Sequence, residues 1–496
     1  MTNTLRSSPS HPFRLHIRED RNRLPALFFS CVGRVLVWAL MGAMALHPDE
    51  LCAVQNPEPI AIGSRRELFV DQFLIEKLSG LELKLHEPRL APPSSEPADN
   101  LEYGTVIKDG DLFRLYTRDS NGAKFDGDSR EMTRYSESRD GVHWTRPKLG
   151  LHEIDGSRDN NVILHEKSVC HNFSPFLDAR PGVPKEERFK ALAGTILRNP
   201  GGGLIAFASG DGIHWRRLSD QPVITKGAFD SQNVSFWSES EKKYVAYLRT
   251  FTAGVSTATE WRLDGLRSVS RSTSEDFIHW SEPVALNPNF PGEHIYTTLT
   301  HPYFRAPHIY VALPTRFHPA RGSSTDILFM TARGDRPYDR TFREAFIRPG
   351  LDPARWGNRS NYAALNVVPT GPDEMSIYTT PFRRFTLRTD GFASVHGGAD
   401  SGELLTKVFT FAGQELSLNF STSAGGSVKV EIQDAGGVPM PGYALVDTQP
   451  MVGDAIDRVV VWKGRSEVAP LEGKAVRLRL VLQEADVFAL QFRAQR

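Results

Sequence analysis

Ser138-Arg-Asp140-Gly-Val-His143-Trp144 returns as Ser209-Gly-Asp211-Gly-Ile-His214-Trp215, and again as Ser274-Glu-Asp276-Phe-Ile-His279-Trp280. Two weaker copies follow: Ala332-Arg-Gly-Asp335-Arg-Pro-Tyr338 and Arg388-Thr-Asp390-Gly-Phe392. The aspartates lie 71, 65, 59 and 55 residues apart, and self-similarity at such a period marks a stacked supersecondary unit. Ser and Asp side chains close tight turns by accepting from backbone N–H groups, and Gly takes the position with positive φ. The Trp is expected to pack its face against the next sheet. This reads as a structural device, so His143, His214 and His279 are assigned to the turn and not to catalysis.

A second pattern runs out of phase with the first. Each unit opens with a polar cluster, near Asn100, Cys170, Ala228, Gly292 and Gly357, and continues into alternating strand residues. Asp109-Gly110, Glu239-Ser-Glu-Lys242 and Gly371-Pro-Asp373 mark hairpins. No helical periodicity is found over 65–395. Five units of four short strands predict an all-β fold: a five-bladed β-propeller over 65–398. From Asp400 the period stops. Leu416-Ser-Leu418-Asn-Phe420, Val428-Lys-Val430-Glu-Ile432 and Val476-Arg-Leu478-Arg-Leu480 alternate between Gly-rich turns. They predict a C-terminal antiparallel β-sandwich over 400–496.

Lys+Arg and Asp+Glu are both 59, so no global basic field exists to hold nucleic acid. Residues 1–55 read as a signal peptide and leader: an Arg-bearing start, an apolar stretch, and Ala43-Met44-Ala45 as a cleavage site. The longest uncharged run, Val35 to Pro48, falls short of the ~18–20 residues that span a bilayer. An exported protein without a membrane span in its mature form is expected. Cys31 and Cys52 leave with the leader if cleavage falls after Gln55, and Cys170 then remains as an inert core thiol.

In a propeller the inner strands converge on one axis, so the polar clusters meet although ~60 residues separate neighbours. They bring Glu102 and Tyr103, His171 and Asn172, Asp230, Gln232 and Asn233, Glu293, His294 and Tyr296, and Asn358, Arg359 and Tyr362. Carboxylates and amides bond hydroxyl groups and aromatic faces stack on rings, which suits a sugar. There is no Gly-rich phosphate loop and no C-x-x-C site. The acids and histidines include metal-ligating types, but their spacing specifies no site. No cofactor is expected, and a structural calcium ion is left open. The expected partner is a carbohydrate, and oligomeric state is not read from the sequence.

The repeated turns and the five clusters resemble the five-bladed propeller glycoside hydrolases of families 32, 43, 68, 117 and 130. Phe229-Asp230-Ser231-Gln232-Asn233, followed by Tyr244-Val245-Ala246-Tyr247-Leu248-Arg249, is similar to their third-blade segment. The C-terminal sandwich resembles the accessory sandwich of family 32. The resemblance implies carboxylates on the inner strands of the first three blades. Glu102 stands where an Asp is usual, and Asp230 where a Glu is usual. His171-Asn172 stands where an acid is expected, with no Arg-Asp-Pro motif. Asp178, further down that strand, reads as a turn residue. These departures mark a separate branch.

Glycoside hydrolysis needs one protonated carboxyl and one ionised carboxylate. Asp230 is expected to act as base or nucleophile, Glu293 as general acid, and Glu102 to bind hydroxyls or tune the pair. His171, Asn172, Gln232, Asn233, His294, Asn358, Arg359 and Tyr362 are expected to bind substrate. Arg249, Arg271 and Arg316 read as structural salt-bridge partners rather than ligands of an acidic sugar. The alternative is a non-catalytic carbohydrate-binding propeller, and acids tied up in salt bridges would favour it. A third reading is a scaffold protein with an unused funnel, against which the polarity of the clusters argues.

Overall fold

Among the described residues the repeat folds into six small antiparallel sheets, arranged as five units in chain order. The computed structural model describes residues 58–92, 101–195, 202–256 and 260–495, so the leader lies outside the described residues. The first sheet holds Thr105–Asp109, Leu112–Asp119 and Met132–Ser138, edged by Val162–Leu164 and Trp144–Thr145. The second runs in order through Ser174–Leu177, Phe189–Ala193, Ile205–Ser209 and Arg216–Arg217. The third runs through Val234–Ser238, Lys243–Ser256, Trp261–Ser274 and Val284–Ala285. In the fourth unit the ladder breaks into two three-stranded pieces. One is His294–Thr297, Thr315–His318 and Ser324–Ile327; the other is His301–Tyr303, Ala306–Ala312 and Met330–Ala332. The fifth unit holds Val368–Pro369, Glu374–Thr379 and Arg383–Arg388, and its outer edge is Arg89–Leu90, from before the first sheet. Helical structure among the described residues is limited to three short 3₁₀ turns.

The Ser-x-Asp turns repeat in atomic detail. Ser138 Oγ accepts from the Gly141 N–H at 2.9 Å, and Asp140 Oδ1 accepts from Val142 and His143 at 2.7 and 2.8 Å. His143 Nδ1 meets Asp140 Oδ2 at 2.7 Å, and both side chains are exposed. The second and third copies keep the same bonds, through Ser209 and Asp211 and through Ser274 and Asp276. Their aspartates are held well below the usual carboxylate range by these hydrogen bonds against the cost of burial.

Each turn packs on the sheet before it, not the next one. The Gly212 carbonyl accepts from Tyr116 Oη of the first sheet at 3.0 Å, and Trp215 lies edge-on to the same ring. The Gly141 carbonyl accepts from Tyr378 Oη of the fifth unit, whose ring stands edge-on to Trp144 at 5.7 Å. A Cβ at Gly141 would meet Tyr378 Oη at 2.8 Å, and one at Gly212 would meet Tyr116 Oη at 2.6 Å. In the third copy Phe277 takes that position with φ of 71° and inserts its ring beside Phe176 of the second sheet. Tyr338 packs on Tyr247 of the third unit, and Asp390 exchanges hydrogen bonds with Tyr303 Oη of the fourth. The contacts therefore run around all five units and return to the first.

Trp144 is the most deeply buried of the three tryptophans, 7% exposed. Trp144→Ala is expected to cost about 3–5 kcal/mol of stability, by removing a buried aromatic side chain. Denaturant melts measure this. Loss of function without loss of stability would contradict a structural role.

Residues of all five units line one cavity of about 240 Å³: Ile107, Phe176, Phe236, His301 and Val368 among them. His301 bridges two sheets there. Its Nδ1 donates to the Leu299 carbonyl at 2.8 Å, and its Nε2 accepts from the Val367 N–H at 3.1 Å. Both bonds require the neutral ring, and burial pulls its pKa down to about 4. Between about pH 6.5 and 4 the unfolded chain therefore binds a proton that the folded chain refuses. The contribution, about 3 kcal/mol at neutral pH, is lost as pH falls through that window. Melting from pH 7 to 4 should fall more steeply in the wild type than in His301→Gln; parallel curves would contradict this.

The remaining strands pair into one ten-stranded sheet around a second core that includes Leu418, Val430, Leu480 and Trp462. Its long strands, Glu415–Asp434 and Val476–Arg493, pair along most of their length, with a register break between Thr422 and Ser427. The sheet is not confined to residues after 400. Ile60–Gly63, Arg66–Leu68, Ile75–Ser79 and Leu81–Leu85 join this sheet, as does Ala393–Gly397. They pair because the C-terminal strands present open edges that must be covered. Glu67 and Arg333 then tie the sheet to the fourth unit at 2.7 Å.

Candidate functional site

Turns at the strand starts bring polar residues of several sheets together. Tyr103, with φ of 57°, stands just before the first strand of the first sheet. Its Oη reaches the Asp230 carbonyl of the third unit at 3.3 Å. Its ring stands edge-on to Tyr362 at 5.9 Å and to His171 at 5.7 Å, and Tyr362 stands edge-on to Tyr296 at 5.8 Å. Phe317 completes this buried aromatic cluster. The Tyr362 hydroxyl is buried without a hydrogen-bond partner. Burial, neighbouring phenols and Glu102 push the Tyr103 hydroxyl well above the usual phenol range, and Arg249 opposes them.

Charged groups surround these rings. Arg249, 2% exposed, is ion-paired with Asp230, whose side chain is 30% exposed. Arg118 bridges two acids, Glu131 at 2.9 Å and Glu102 at 3.7 Å. Glu131 is fully buried; it accepts from the Gly127 N–H at 2.9 Å and meets His171 Nδ1 at 2.9 Å. His171 Nε2 is buried with no hydrogen bond. Arg249, Arg267 and Arg359 stand around one ring, with guanidinium carbons 4.9, 5.3 and 5.8 Å from the centre of Tyr296.

Several expected ligands of substrate are occupied elsewhere. Asn172 spends its amide on the Phe229 and Ser231 carbonyls and on the Gly194 N–H. Gln232 donates to the Gly104 carbonyl at 3.1 Å, and Asn233 to the Ser231 carbonyl at 2.6 Å. These three buried amides tie sheets and turns together. His294 Nδ1 accepts from the Arg267 N–H at 3.1 Å, and burial and Arg267 lower its pKa. Arg359 and Asn358 are exposed. Asp178, read as a turn residue, is buried and pairs with Lys190 at 2.8 Å and Tyr244 Oη at 2.6 Å.

Glu293 is held by an arginine. Both its oxygens face Arg340, at 2.9 and 3.1 Å, and one also accepts from the Phe290 N–H at 3.2 Å. Its side chain is 8% exposed and Arg340's is 9%. These bonds fasten the loop before the fourth unit, which a proton donor to substrate would have to leave. Arg271 pairs with Glu241 and Arg316 with Asp326, the structural roles expected of them. Arg118, Glu131 and Arg267 also belong to this cluster. Arg118 and Glu131 flank the long 120–131 connection, whose density of acids, Asp126, Asp128 and Glu131, was the available signal. Among the described residues no group of three His, Cys, Asp or Glu is placed to hold a metal, and no helix is long and apolar enough to cross a membrane. Cys170 is buried, and burial pushes its thiol up to about 12.

No family model and no curated protein matches the chain. Solved structures similar to it include a family 43 arabinoxylan arabinofuranohydrolase from Bacillus subtilis in complex with cellotetraose. That chain is 14% identical, with 82% of this chain and 98% of the other covered, at a TM-score of 0.39. A thermostable family 43 glycoside hydrolase is 13% identical over 62% of this chain and 96% of its own, at 0.38. An N-acetylgalactosamine deacetylase from F. plautii, in complex with blood group B trisaccharide, is 12% identical over 80% and 95%, at 0.40.

Proposed function

We propose that the five units are the blades of a β-propeller, followed by a sandwich completed by the N-terminal strands. The cyclic contacts between the repeated turns and the preceding sheets support this. We further propose an exported protein that hydrolyses glycosidic bonds of an oligo- or polysaccharide at the axial cluster. One observation carries the reading: carboxylates of the first and third units, Glu102 and Asp230, both partly exposed, flank a floor of buried tyrosines. Asp230, held by Arg249, suits the carboxylate that acts through its charge as base or nucleophile. With Glu293 engaged by Arg340, Glu102 takes the second carboxyl role. Tyr103, Tyr296 and Arg359 would position the sugar. Turnover by Asp230→Asn and Glu102→Gln tests the assignment.

A second reading keeps the binding site without the chemistry. The observation in its favour is that Glu102, Asp230 and Glu293 each have an arginine partner. It predicts amide variants that alter affinity only.

A further inference from the structure

Resting on that carbohydrate-site reading, we propose that the site takes a sugar bearing an anionic substituent, a carboxylate or a sulfate, held by Arg249, Arg267 and Arg359. Three guanidinium groups gather around the Tyr296 ring. Asp230 neutralises Arg249, but among the described residues neither Arg267 nor Arg359 is ion-paired with a carboxylate. Among the described residues the Arg359 guanidinium donates to the Tyr296 hydroxyl alone, at 3.5 Å.

Donors are left over as well. Arg249 Nε and Nη1 and Arg267 Nε are buried with no hydrogen-bond partner. Unmet buried donors are costly, and an oxyanion that presents two oxygens side by side is the acceptor that a guanidinium fork fits best. Burial and repulsion by Arg249 and Arg359 lower the pKa of Arg267, as expected of cations gathered without enough countercharge. A neutral sugar would leave that repulsion in place, whereas an anion relieves it. The arginines that pair within their own sheets, Arg271 and Arg316, show that this chain supplies an acid where an arginine is structural.

The test is calorimetric binding to the full mature chain of matched oligosaccharides differing only in one group: glucosyl, glucuronosyl or 6-sulfated glucosyl. At least one anionic member should bind on the order of tenfold or more tighter than the neutral one, a gain one charge-assisted hydrogen bond can supply. Which anionic member prefers the site separates carboxylate from sulfate. Arg359→Gln, at an exposed position, and Arg267→Gln should each reduce that preference while neutral affinity changes less. Equal affinity across the set, no binding by any member, or a preference unchanged in both variants would overturn the proposal. Loss of turnover in Asp230→Asn is independent of all three outcomes, so a wrong substrate class and a wrong catalytic assignment are told apart.

Discussion

Glu102→Gln should cut turnover of the true glycan at least ~100-fold, the lower range for lost acid–base catalysis, and leave the melting temperature nearly unchanged. Arg118 keeps Glu131 at 2.9 Å when the Glu102 charge is removed, so no buried cation is orphaned. Asp230→Asn should match it in turnover but not in stability. Arg249 is 2% exposed and stands among Arg267 and Arg359, so deleting its Asp230 carboxylate partner should cost about 2 kcal/mol, discounted from a fully buried pair because Asp230 is partly exposed. Relief of repulsion among clustered acids, the expectation from sequence alone, does not apply to acids that each hold an arginine. Kinetics below the onset of unfolding, normalised to folded protein by circular dichroism, separate the two effects. If both variants keep near-normal turnover while glycan binding changes, the carboxylates are ligands and not catalysts.

The repeat was legible because its signal is local. Ser, Asp and the residue with positive φ close each turn through bonds spanning two or three positions, so the motif survives in sequence as a fixed spacing. Hairpins at Asp109-Gly110 and at Glu239 to Lys242 were legible for the same reason, with Gly110 and Lys242 at positive φ. Which sheet each Trp meets was not legible, because the partner rings Tyr378 and Tyr116 are set by the order of sheets and not by the motif. The pairing of Arg89–Leu90 with Arg383–Arg388 joins segments nearly 300 residues apart, and a two-residue edge strand has no periodicity to detect. At the site, position at strand starts marks candidate acids in the sequence, but position does not reveal a partner. Asn172, Gln232 and Asn233 have the residue types of sugar ligands, and the same hydrogen-bonding capacity is used on backbone carbonyls.

Glu293→Gln should destabilise the fold by about 3 kcal/mol, because it leaves the Arg340 guanidinium inside the protein without its carboxylate. Both side chains are about a tenth exposed, and Arg340 also donates to the Pro288 carbonyl and covers the Phe290 ring at 4.6 Å. The amide can accept one of the two bonds but carries no charge. Adding Arg340→Met should recover at least half of the loss, since removing both partners leaves no stranded cation, whereas Arg340→Met alone strands Glu293 in the same way. Urea melts on the two single variants and the double variant measure the coupling. Turnover per folded molecule should stay within about threefold of wild type in Glu293→Gln, far short of the ~100-fold expected for lost acid–base catalysis. A variant that melts like the wild type yet loses turnover would return Glu293 to the role of general acid and require Arg340 to release it when substrate binds.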